Sequence, residues 1–296
     1  MHNNEHTNTR ANLFLFLPLL AILGGMPAWA LQPGDEFRDC EECPEMVVIP
    51  AGKFVMGSPH GEKGRKAKRE SPQHDVTISK PFAVGKFEVT LREFGAFVAD
   101  TNRDTSGGCH WRGSSPEWNK DASYSWRSHL FAQTDRDPVV CASWNEAKAY
   151  TEWLSRKTRE HYRLLSESEW EYAARAGTTS PYHFGETITT EQANHGFVAR
   201  RTLPVGSFPA NNFGLHDVHG NVFEWVEDCM GARNPSYSGA PSDGSARTGE
   251  NCRRRVTRGG SWFNGKYTLR SAYRWRWAAK RRYVHIGFRV ARELKP

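Results

Sequence analysis

Beyond its first thirty residues the chain has no apolar run approaching the roughly 20 residues that a membrane-spanning helix needs. No internal repeat is evident, no cysteine follows the early apolar run at a lipidation position, and no nucleic-acid reader motif accompanies the basic charge. These absences argue against an integral membrane protein, a solenoid, a lipoprotein and a nucleic-acid binder. Cysteine itself is scarce, six in 296 residues.

The first segment that is informative by presence is the N-terminus. Arg10 precedes Leu13-Phe-Leu-Phe-Leu-Pro-Leu-Leu-Ala-Ile-Leu23, and Ala28-Trp-Ala30 follows in a small-x-small pattern. A basic head, a short apolar core and a cleavage pattern read as a secretory signal peptide over residues 1–30. The expectation is an exported, soluble mature chain starting near Leu31, with no membrane span after cleavage. In an oxidising compartment an even cysteine count points to disulfides. Proximity pairs Cys40 with Cys43, Cys109 with Cys141 and Cys229 with Cys252, one of fifteen arrangements that six cysteines allow. Cys40-Glu-Glu-Cys43 could instead be a redox or metal motif, but it lies on an extended segment before Pro44, without the helix N-terminus that activates a thiol.

The composition, with 11 Trp, 16 Phe and 9 Tyr beside 26 Gly and 16 Pro, favours one large aromatic core wrapped in irregular backbone. Net charge is +7, and much of the excess lies in Arg253 to Arg292. Those arginines alternate with Tyr273, Trp275, Trp277 and Phe288. Either a basic groove for anionic ligands or buried guanidinium forks paired with carboxylates would produce that pattern.

Residues 31–45 read as an N-terminal extended segment ahead of one domain over 46–296. Met46 to Gly57 reads as a hairpin around Pro50-Ala-Gly, and the charged stretch Pro59 to Pro72 as a mobile surface loop without core residues. Three helix starts carry a hydroxyl residue with Glu three positions on, at Thr90, Ser143 and Ser166. In the second helix Ala147, Tyr150, Trp153 and Leu154 share a face. The stretch Gly231 to Gly249 reads as a long loop pinned by the bridge from Cys229 to Cys252.

Ordered landmarks then identify a family. They include Ile49-Pro-Ala-Gly, Tyr162-Arg-Leu-Leu-Ser-Glu-Ser-Glu-Trp-Glu-Tyr-Ala-Ala-Arg-Ala-Gly177, Gly220-Asn-Val-Phe-Glu-Trp225, Arg258-Gly-Gly-Ser-Trp262 and Gly287-Phe-Arg-Val. Over roughly Met46 to Arg292 the chain resembles the formylglycine-generating enzymes, or sulfatase-modifying factors. The resemblance implies a single α+β domain of low regular secondary structure, related to C-type lectins. It also implies calcium at Asp217, Gly220, Val222 and Glu224, where two carboxylates and irregular backbone would serve a hard cation. A second family calcium site keeps Asn194 but meets Arg200 and Arg201 where an acid is needed.

The family's two copper-binding cysteines fall on Asn264 and Leu269, and soft Cu(I) needs thiolates. Copper-dependent formylglycine formation is therefore not expected. His216, His219 and His285 show no spacing that marks an iron triad, and any redox cofactor stays unassigned.

The layout is similar to a cysteine-less, periplasmic branch of the family that matures pyoverdine-type siderophores. By that likeness the expectation is a maturation protein for an exported peptide or small molecule. Ser261, Asn264 and Arg270 are the candidate reactive groups, and Trp262, Tyr273 and Trp275 the stacking surface. Glu227 and Glu224 are the nearest acids. The alternative is a non-catalytic accessory module that holds a peptide, glycan or partner enzyme in the same groove.

Overall fold

The computed structural model describes residues 1–2, 31–112, 117–231, 235–249 and 252–295. Residues 3–30 of the expected signal peptide lie outside the described residues. Leu31–Pro296 forms one compact unit, with short strands, four short helices and much irregular chain, the α+β build expected.

Its larger sheet holds five strands in the order β1-β2-β5-β13-β8. These are β1 (Glu36–Phe37), β2 (Met46–Ile49), β5 (Phe82–Gly85), β8 (Tyr162–Leu164) and β13 (Val290–Glu293). The N-terminal segment thus supplies the edge strand, and β13 brings the C-terminus back between β5 and β8. A second sheet, in the order β11-β10-β9-β12, contains β9 (Phe223–Cys229), β10 (Arg254–Arg258), β11 (Trp275–Ala278) and β12 (Ile286–Gly287). Two ribbons complete the strands: β3 (Gly52–Met56) with β4 (His74–Ile78), and β6 (Cys109–Trp111) with β7 (Asn119–Asp121).

The helices are α1 (Ala67–Glu70), α2 (Leu91–Thr101), α3 (Trp144–Thr158) and α4 (Glu167–Arg175). The three anticipated starts are those of α2, α3 and α4, and each closes a complete capping box. At Ser166 the backbone N–H donates to Glu169 at 2.8 Å, while Glu169 N–H donates back to the Ser166 hydroxyl at 3.0 Å. Caps of this kind contribute about 1 kcal/mol each. Ala147, Tyr150, Trp153 and Leu154 of α3 are all buried, in the cluster that also takes Phe94, Phe97 and Phe288.

Disulfides join Cys40 to Cys43, Cys109 to Cys141 and Cys229 to Cys252, as sequence proximity suggested.

Two local expectations change. Residues 46–56 do not form a hairpin: β2 is buried at every position and pairs with β1 and β5, whereas β3 alternates exposed and covered and pairs only with β4. A fully apolar strand belongs inside a sheet, and Pro50 takes the chain out of it. The charged stretch 59–72 contains α1, and Glu70 is fully buried. Its counter-charge is Arg270, two hundred residues away in sequence, which no local reading of the segment could supply.

Candidate functional site

The six residues singled out from the sequence do not converge on one open pocket. After β10 the chain turns through Gly259 and Gly260, at φ 88° and 74°. A side chain at Gly260 would press within 2.7 Å of Leu269, so the turn requires glycine. Beyond it, the Ser261 hydroxyl donates to Asn264 Oδ1 at 2.6 Å, and Ser261 is fully buried. Leu269, at the other thiolate position, is fully buried as well. Trp262 lies beneath Phe197 and donates to the Val284 carbonyl.

Arg270 is elsewhere. Its guanidinium pairs with Glu62 and Glu70 and donates to the carbonyls of Gly64 and Tyr267. All five N–H groups are thereby committed, so the geometry makes it a strap that holds the 59–72 segment rather than a reactive group. A cavity of about 410 Å³ borders it, between Tyr182, Glu186, Lys266 and Tyr267. Tyr273 and Trp275 stack in parallel at 6.4 Å, and the Arg69 guanidinium lies 3.8 Å over Trp275. Burial pushes the Tyr273 hydroxyl up to about 12, which keeps it neutral. Of the two acids considered, Glu227 is paired with Lys148 at 2.9 Å.

What the fold does bring together is an aromatic box around His285. The Trp118 indole stacks on the imidazole at 4.4 Å and 19°, while Trp277 and Tyr283 stand edge-on at 5.6 and 5.7 Å. Phe223 and Phe263 close it at 6.0 and 6.1 Å. His285 Nδ1 and Trp277 Nε1 are buried and have no hydrogen-bond partner. Burial alone holds the imidazole down to about 3, so it is neutral at physiological pH and able to accept or donate one hydrogen bond.

Sequence reasoning passed over this box. The alternation Trp275/Trp277 falls on β11, but Tyr283 and His285 lie in the bridge and turn before β12, and nothing in the sequence attaches Trp118 to them. It sits ahead of β7, in the ribbon that the Cys109–Cys141 bridge ties down.

The metal expectations meet a different arrangement. The Glu224 carboxylate receives Arg289 Nε and Nη2, each at 2.7 Å, and Trp170 Nε1 at 2.7 Å. Asp217 accepts the Gly206 N–H at 2.7 Å. Arg289 thus occupies both Glu224 oxygens, and calcium at Asp217, Gly220, Val222 and Glu224 stays a proposal. Asn194 donates to the Arg201 carbonyl and to Asn221. His216 faces the Phe208 carbonyl, and His219 lies between the Leu269 carbonyl and the His183 N–H. Among the described residues, no three metal-ligating side chains gather. All six cysteines are in disulfides, so no thiolate is free to hold copper.

A single loop-rich α+β domain, built around arginine forks and the Gly-Gly-Ser turn, defines the formylglycine-generating class of fold. The family model described as the sulfatase-modifying factor enzyme 1-like domain matches residues 33–294, and the chain belongs to that family. In solved structures it is similar to PvdO from Pseudomonas aeruginosa, at 43% identity and a TM-score of 0.80, over 90% of this chain and 100% of that one. The formylglycine-generating enzyme of Streptomyces coelicolor is 30% identical over 328 residues, 93% of this chain and 97% of that enzyme. The serine/threonine-protein kinase pkn1 of Chlamydia caviae is 32% identical over 260 residues, of which the match spans 85% of this chain but only 38% of the kinase.

Proposed function

We propose that this protein matures an exported peptide or siderophore precursor of the pyoverdine type, in the periplasm, without thiolate–copper chemistry. The observation that carries the reading is the aromatic box, in which a neutral His285 with an unpartnered Nδ1 is enclosed by Trp118, Phe223, Phe263, Trp277 and Tyr283. Such a site suits a flat, apolar group bearing few polar atoms. The similarity to PvdO supports the same reading. Within the site the rings would orient the ligand and exclude water, and His285 would hold or receive a proton at Nδ1.

The test compares periplasm and spent medium from wild-type and deletion strains under iron limitation, by absorbance, fluorescence and mass. Accumulation of a precursor two hydrogens heavier, reversed by the wild-type gene and not by one encoding His285→Phe, supports an oxidative maturation step at this box. Identical profiles from the deletion and wild-type strains remove the siderophore reading and leave the accessory-module alternative.

A further inference from the structure

Two buried polar groups in adjacent rings lack partners, and a third ring lies where a ligand would lie. Leaving a buried donor or acceptor unsatisfied costs about 1–3 kcal/mol, and His285 Nδ1 and Trp277 Nε1 both bear that cost with ring centroids 5.6 Å apart. The Trp277 indole can only donate. The neutral His285 ring can accept at Nδ1 when its proton sits on Nε2. One group that accepts a hydrogen bond and donates another would therefore satisfy both. A hydroxyl does this, whereas a carboxylate or an ether cannot donate.

The place over the imidazole is filled by Trp118. Its indole lies nearly parallel to the imidazole at 4.4 Å, the geometry a flat bound ring would adopt. It is held at its outer side by edge contacts to Trp277 and Tyr283, at 5.6 and 5.4 Å, and is itself only half-buried. No cation or carboxylate perturbs His285, whose titration is shifted by burial alone, so the enclosure favours a neutral ligand.

We infer that His285 and Trp277 form a subsite for the hydroxyl of a flat, neutral phenolic ring, and that Trp118 is a displaceable plate occupying the ring's place until ligand enters. This deepens the maturation reading, on which its biological use rests, but the binding test is independent of it. The hydroxyl donates to His285 Nδ1 and accepts from Trp277 Nε1–H, while the ring stacks on the imidazole in place of the indole.

The probes are p-cresol, its O-methyl ether and toluene, titrated into the oxidised mature protein by calorimetry and by NMR of the indole N–H and imidazole signals. The inference expects p-cresol to bind at least about tenfold more tightly than the ether or toluene, and to shift the Trp277 indole and His285 signals. Trp277→Phe, which keeps a ring and removes the N–H, should lower p-cresol affinity about tenfold while leaving that of toluene unchanged; His285→Phe should do likewise. Trp118→Ala, which removes the competing plate, should strengthen p-cresol binding.

Equal affinities for p-cresol and its ether, or insensitivity to Trp277→Phe in a variant with wild-type near-ultraviolet dichroism, would overturn the hydroxyl subsite. Weakened binding in Trp118→Ala would overturn the plate and make Trp118 a wall of the site. Selective p-cresol binding in a protein whose deletion leaves siderophore profiles unchanged would keep the subsite and sink the siderophore reading.

Discussion

Replacing Glu224 by glutamine addresses the disagreement between the family's calcium site and the arginine found here. Glu224 is fully buried, and Arg289 is 1% exposed. The guanidinium delivers two of its N–H groups to the carboxylate at 2.7 Å each, and its other contacts are the carbonyls of Gly85, Lys86 and His216. Glutamine keeps the shape but turns an amide N–H₂ toward a cation that stays buried. Breaking one partner of a buried pair costs about 3–5 kcal/mol. The nearby carboxylates Glu88 and Asp217, which interact with Arg289 electrostatically, would compensate partly and favour the lower end.

At about 2–4 °C per kcal/mol for a domain of this size, Tm should fall by roughly 6–20 °C. The assay is thermal unfolding of the oxidised mature protein by circular dichroism, in calcium and in chelator. Glu224→Leu combined with Arg289→Met should recover only part of the loss, because the Gly85 and His216 carbonyls, Trp170 Nε1 and the carboxylates of Glu88 and Asp217 each lose a partner. A Glu224→Gln variant within about 1 kcal/mol of wild type would refute the reasoning. So would a wild-type protein that loses about 2–3 kcal/mol on chelation, the size of a bound-ion contribution near 100-fold saturation, with the variant indifferent to calcium.

Other outcomes follow from the same geometry. The His285 imidazole titrates near 3 in the fold against 6.5 unperturbed, so the unfolded chain takes up the proton first; its contribution is complete above about pH 6.5 and declines as pH falls toward 3. Unfolding free energies measured across that window should slope less steeply in His285→Phe, and an unchanged slope would contradict the buried neutral state. Replacing Cys109 and Cys141 by serine opens a crosslink spanning 32 positions, and loop entropy sets the cost at about 3–4 kcal/mol. Equilibrium urea unfolding checks this. Arg270→Met should free the 59–72 segment, seen as faster proteolysis near Lys63 to Lys68, since Glu62 and Glu70 lose their shared cation. On the maturation proposal, Ser261→Ala should leave precursor oxidation within about twofold of wild type and cost about 0.5–1.5 kcal/mol, since the Asn264 amide that loses its partner is half-buried; a large loss of turnover with normal folding would return the proposed reaction to that turn.

What the sequence determined is local or landmark in kind. Hydroxyl caps with Glu at the third position specify where α2, α3 and α4 begin, because both halves of each box lie within one turn. The disulfides pair cysteines separated by only 3, 32 and 23 positions. The ordered motifs carry the family, and the residues at 264 and 269 show that its thiolates are missing. Tertiary structure decided the partners of the arginines, because a fork's choice among carboxylates depends on which strands meet. Arg270 reaches back to Glu62 and Glu70, Arg258 to Glu167 and Glu171, and Arg289 to Glu224. It also decided the box at His285: Phe223 on β9, Trp277 on β11, Trp118 beside β7 and the chain entering β12 meet only when the second sheet and its ribbon assemble. Burial, which strips the imidazole of solvent and of any charged neighbour, exists only there.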